Sequence, residues 1–139
     1  MLFRSVHDPS LMESLVSAQV PLEVCPTSNL LTGSLARQRG KSSAQIEDHP
    51  MSEMHRSGLM VTLASDDPAM FHTSLEGEYA AALRMGLSLA EVIRIAGRSF
   101  EAAFLPADEK AALLRGFHSK REALGLRSEE RRVGKECRL

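Results

Sequence analysis

Two adjacent carboxylates, Asp66 and Asp67, stand between Ser65 and Pro68, directly after the apolar run of residues 59–64. In α/β barrels the groups that do chemistry sit just past the C-terminal ends of buried strands. Neighbouring carboxylates repel one another unless a cation or hydrogen-bond donors offset the charge, and a carboxylate oxygen is an accepted zinc ligand. The competing reading is a helix start, with Asp67 capping a helix that opens at Pro68 and Asp66 solvated. Spacing alone leaves these two readings open.

Other candidates are weaker. Glu23, Cys25 and Asn29 surround the end of a shorter apolar run. A single buried cysteine is more often a small core residue than a nucleophile or metal ligand. Thr27, Ser28 and Asn29 suit either a pocket rim or a polar turn. His49 precedes Pro50 at a helix start, where a structural duty is expected. His7, His55, His72 and His118 show no metal-ligand spacing, and there is no HxH, HExxH or CxxC pattern and no glycine-rich phosphate loop.

The elements that position these residues follow from periodicity and punctuation. Asp8-Pro9 opens a helix to about Gln19, with Leu11, Leu15 and Val16 at helical spacing. The proline-bounded run of residues 20–26 predicts a strand ending at Cys25. Residues 32–47 are polar and basic and read as a mobile loop. Asp48-His49-Pro50 starts a short helix that Gly58 ends. Residues 59–64 form a second strand whose unbroken apolarity predicts burial on both faces, as in parallel sheets. Helices follow: residues 74–85, a second whose Ser88 and Glu91 have capping-box spacing, and a third opening at Pro106. Strands separated by helices imply a parallel sheet with crossover connections. Two strands cannot close a barrel, so the fold class expected is the last part of a larger α/β fold.

The chain has 139 residues, 43% of them hydrophobic and 25% charged, with a formal net charge of −1. That balance gives no basic patch for nucleic acid, and no run of about 20 apolar residues marks a membrane span. Cys25 and Cys137 are too few for a disulfide framework, and a reducing, cytoplasmic setting is expected. Both ends look foreign. Residues 1–5 and the closing segment 127–139 read as translated sequencing adaptor, leaving residues 6–126 as a native insert that is more acidic than the whole.

The string Leu22-Glu23-Val24-Cys25-Pro26-Thr27-Ser28-Asn29, followed by Leu31-Thr32-Gly33 and His49-Pro50, resembles the end of the seventh strand and the next loop in adenosine deaminases. Residues 61–71, centred on Ser65-Asp66-Asp67-Pro68, resemble their eighth strand. Ser74-Leu75 with Glu78-Tyr79, and residues 99–105, resemble the helices beyond it. The resemblance implies a (β/α)8 TIM barrel holding one zinc ion, of which this chain supplies the last two strands. It implies that Asp66 is the carboxylate zinc ligand beside the attacking water and that Asp67 hydrogen-bonds the purine ring. The implied reaction is hydrolytic deamination of adenosine or a related purine base or nucleoside. The family's other zinc-binding histidines and its proton-shuttling glutamate have no counterpart here, so the chain alone is expected to be inactive. Residues 37–47 look longer than the family's usual loop. The alternative is a non-catalytic helical interaction module in which Asp66 and Asp67 only begin a helix.

Overall fold

The computed structural model describes residues 8–126. The adaptor readings of residues 1–5 and 127–139, and His7, lie outside the described residues.

Asp8 caps the first helix, α1 (Pro9–Ser17), by accepting the Leu11 N–H at 3.0 Å. The proline at its first position has no N–H to lose there. Met12, Leu15 and Val16 lay one face of α1 against the core. The chain then enters strand β1 (Pro21–Val24), in which Leu22 and Val24 point inward and Pro21 and Glu23 outward. That alternation is the period-2 pattern of a strand with one covered face. Strand β2 (Met60–Leu63) is buried along its whole length. The two run parallel in the register Pro21↔Met60 to Val24↔Leu63. The expected parallel sheet is therefore present as a pair of strands among mostly helical elements.

Between the strands the expected loop is more structured than its polar composition suggests. Thr27, Ser28 and Asn29 do not form a turn but lie in a short helix, α2 (Pro26–Leu31). Residues 32–47, expected to be a mobile loop, contain helix α3 (Ser34–Gln38) and lead into a 3-10 turn (Ile46–Asp48). Two isolated apolar residues explain the difference: Leu35 and Ile46 are both buried and anchor the segment at each end. Gly33 supplies the left-handed backbone, φ 68°, that separates α2 from α3. Helix α4 (Met51–Arg56) then buries Met51 and Met54.

After β2 come a single turn α5 (Pro68–Phe71), then α6 (Leu75–Arg84), α7 (Leu89–Ala102) and α8 (Ala107–Ala123). Ser74 caps α6, and the Ser88–Glu91 capping box starts α7 as its spacing predicts. The core joins Leu22, Val24, Val61 and Leu63 of the strands to Met54 of α4, Ala81 and Ala82 of α6, and Val92 and Ile95 of α7. Arg98 of α7 ties the far side of this core together. Its Nη1 donates to the Leu59 carbonyl at 2.7 Å and lies 3.3 Å from His55 Nδ1. Because a guanidinium can only donate, His55 accepts there, and burial followed by the Arg98 charge lowers its pKa. No helix among the described residues is long and apolar enough to cross a membrane.

Candidate functional site

The end of β2 is where backbone and side chains depart from the ordinary. Asp66 has φ 59°, in the left-handed region. Aspartate and asparagine tolerate that conformation better than most residues, because a short polar side chain can bond locally. Asp66 does more than meet solvent: its Oδ2 accepts the Ser28 hydroxyl at 2.6 Å, across 38 residues of sequence. Asp67 points its Oδ1 at the Met70 N–H, 2.9 Å away, and so caps α5. The two acids thus have different local duties. Thr73 donates to the Ser65 carbonyl at 2.7 Å, which closes the loop that carries both.

Ser28 is held in place from several sides. It is itself buried and sits on α2, whose first position is Pro26. Cys25 at the N-cap offers no side-chain bond to the helix. The first available N–H of α2, that of Thr27, instead donates to Glu78 Oε2 at 3.1 Å, from α6. Thr32 Oγ1 donates back to the Ser28 carbonyl at 2.7 Å, and Ser34 Oγ donates to the Asn29 carbonyl at 3.0 Å. Further along, Asn29 lies 3.3 Å from His49 Nε2, while His49 Nδ1 accepts the Met51 N–H at 3.1 Å. With Nδ1 accepting, a neutral ring carries its proton on Nε2, and the Asn29 amide is assigned with its oxygen, in the place of Nδ2, toward that proton. Burial, with a smaller contribution from the Arg39 charge, lowers the His49 pKa to about 4. His49 is therefore neutral at pH 7.

Cys25 is half-buried beside this cluster. Burial, then the negative charges of Asp66, Glu23 and Glu78, push its thiol up to about 11. A thiol that stays protonated at neutral pH is a poor nucleophile. Among the described residues no three of His, Cys, Asp and Glu converge on a point that could hold a metal ion. The chemistry present is that of one contributing ligand: Asp66 has one oxygen oriented by Ser28, and no hydrogen bond reaches its second oxygen among the described residues. An oriented carboxylate with one oxygen to offer fits a place in a metal shell. A zinc site needs about four ligands in all, more than the described residues bring together.

Residues 3–120 match the family model described as adenosine deaminase. The chain belongs to the adenosine deaminase family. Similar curated proteins include the aminodeoxyfutalosine deaminase of Streptomyces coelicolor, 41% identical over 110 residues, which are 78% of this chain and 26% of that protein. The adenine deaminase of Cupriavidus necator is 38% identical over 112 residues, covering 80% of this chain and 30% of its own length. Among solved structures, adenine deaminase from Arthrobacter aurescens superposes with a TM-score of 0.71 at 32% identity, over 86% of this chain and 34% of that one. The N6-methyl-AMP deaminase from Arabidopsis thaliana gives 0.67 at 31% identity, over 84% and 32%. This deaminase-family chain thus spans about a quarter to a third of the length of the relatives it matches.

Of the residues singled out in the sequence, Ser28 and Asp66 are brought together, Asp67 is turned to the helix behind it, and Asn29 and His49 pair away from the acids. Glu78 was visible only as part of the family resemblance. A stronger signal lay in its own helix: Glu78, Ala81, Ala82 and Met85 recur at helical spacing and all are buried. Glu78 is the charged residue on an apolar stripe, where an unpaired carboxylate is costly.

Proposed function

We propose that the complete protein to which this chain belongs is a zinc-dependent hydrolase that removes the exocyclic amino group of a purine base or nucleoside. In that reaction water adds to the ring carbon bearing the amine, the carbon–nitrogen bond breaks, and ammonia leaves with the proton it gains from the water. The complete fold is a (β/α)8 barrel, with residues 6–126 supplying its last two strands and following helices.

The observation that carries this reading is the Ser28–Asp66 hydrogen bond at the end of β2. A carboxylate that only began a helix would have no need of a donor fixed 38 residues away. Asp66 is the metal ligand in this reading, with Ser28 fixing which oxygen it presents. When bound, zinc supplies the Lewis acidity that makes a water nucleophilic near neutral pH. Asp67 accepts a hydrogen bond from the purine ring through Oδ2, while Oδ1 keeps its cap on α5. That division lets one side chain serve both readings left open by its spacing.

Family membership and the relatives named as purine deaminases support the reaction class. They differ in substrate, and adenine, adenosine and a modified nucleoside all remain within the class proposed. The test is ammonia release by the complete, metal-loaded protein from a panel of adenine, adenosine, AMP and aminodeoxyfutalosine. Release from at least one, with none from the 139-residue chain alone, is the expected result. No release from any member of the panel would contradict the proposal.

A further inference from the structure

Among the described residues, Glu78 is the one ionisable side chain in the set of largest fully buried groups, 1% exposed, and the chemistry proposed above gives it no part. No salt bridge offsets its charge among the described residues. Removing a carboxylate from water without a counter-ion is expensive, so what it contacts is informative. Its Oε2 accepts the Thr27 N–H at 3.1 Å, across 51 residues of sequence. That N–H is the first that α2 can offer, because Pro26 has none and Cys25 supplies no cap. A carboxylate at this point also meets the positive end of the helix dipole. The next residue, Ser28, donates to Asp66 at 2.6 Å. Three links therefore run in series from α6 to the end of β2: Glu78 to the Thr27 amide, Thr27 to Ser28 along the chain, and the Ser28 hydroxyl to Asp66.

We infer that Glu78 is a positioning residue for the active site, acting through the first turn of α2 to fix the Ser28 hydroxyl against Asp66. The inference rests on Asp66 being the functional carboxylate of the proposed deaminase. Glu78 does not touch substrate or metal. Its effect is to replace a missing N-cap with a buried acceptor on another helix, so that the angle of α2, and with it the Ser28 hydroxyl, is set by the packing of α6 rather than by a free loop.

The test uses the complete protein carrying Glu78→Met, Glu78→Gln, Ser28→Ala and the double substitution Glu78→Met/Ser28→Ala. Methionine keeps the length of the side chain but removes the acceptor, whereas glutamine keeps an acceptor oxygen for the Thr27 amide. Glu78→Met should lower kcat about tenfold, the low end of what loss of a group orienting a ligand costs, with a much smaller change in KM. Glu78→Gln should recover most of that loss. The double variant should be no slower than Ser28→Ala alone, because residues acting in series do not add. Backbone amide exchange should quicken at Thr27 and Ser28 in Glu78→Met and stay slow in Glu78→Gln.

Wild-type kcat in Glu78→Met, or effects of Glu78→Met and Ser28→Ala that multiply, would overturn the inference while leaving the deaminase reading intact. So would a fall in melting temperature with kcat per folded molecule unchanged. A wild-type protein that deaminates no purine would overturn the proposed function and this inference with it.

Discussion

The end of β2 and the seam between α7 and α8 differ in the contacts that dominate each. At the strand end, single hydrogen bonds reach over long sequence distances: Ser28 to Asp66, and Thr27 to Glu78. In the helix pair, α7 presents Val92 and Ile95 to the core and meets α8 through the Phe100 and Phe117 rings, 5.5 Å apart. Helix α8 itself has no buried residue. Apolar contact fixes how closely two elements approach but tolerates small rotations. A hydrogen bond fixes direction, and loses strength steeply when misaligned. At the strand end hydrogen bonds alone aim Asp66. Helices α7 and α8 are joined by ring packing to which the Lys110–Glu101 carbonyl bond is added, and the Arg98–Leu59 carbonyl bond ties α7 to the core. Substitutions at the strand end should therefore cost activity with little stability, and substitutions in the helical region the reverse.

The largest effect is expected for Asp66→Asn. Asparagine accepts the left-handed backbone at this position and can still receive the Ser28 hydroxyl, so the change deletes charge and leaves the local structure. Loss of purine deaminase activity by a factor of about a hundred or more is expected, with the melting temperature of the complete protein near that of wild type. Ser28→Ala comes next. It removes only the orienting bond and should lower activity about 10- to 100-fold, measured as steady-state ammonia release. If both variants lost stability in proportion to activity, the contrast between the two regions would fail.

On the other side of the comparison, Arg98→Met removes the charged donor to the buried Leu59 carbonyl, which keeps only the Val61 N–H, and should destabilise the fold by about 1.5–3 kcal/mol. Denaturant unfolding reads that loss, and kcat per folded molecule should not move. A smaller and pH-limited effect belongs to His49. Its folded-state pKa, about 4, lies below its ordinary value, so the fold favours the neutral ring. The contribution is complete above about pH 6.5 and is lost progressively as pH falls toward 4, because the unfolded chain takes up the proton first. His49→Gln, which keeps both a donor and an acceptor, should flatten the fall in melting temperature over that window.

Gly97→Ala should have the smallest effect. A Cβ there would lie 3.2 Å from the Phe117 ring, so the ring must shift by a few tenths of an ångström. The alanine gains about 1 kcal/mol of helix propensity, which opposes that crowding, so the net change in unfolding free energy should stay within about 1 kcal/mol. A loss of several kcal/mol would mean that the α7–α8 contact is as exacting as the strand end.

What was legible in the sequence was what local chemistry decides. Asp8 and Ser88 begin their helices as caps, residues 59–64 announce a buried strand, and the separation of the two apolar runs by helical segments implies parallel pairing. The segment of residues 32–47 misleads because its structure depends on Leu35 and Ile46, two residues too far apart to show a period. The turn expected at Thr27-Ser28-Asn29 is a helix because its cap arrives from Glu78, 51 residues away. No local pattern carries that information. The acids at 66 and 67 are conspicuous in the sequence, but only the fold separates them, one held by Ser28 and the other by the helix it begins.

Zinc bound per molecule of complete protein, wild type against Asp66→Asn after dialysis, tests most directly whether this carboxylate serves a metal. About one zinc per wild-type chain and a large loss in the variant, with the fold intact, is the predicted result. Equal metal content in the two proteins would contradict it.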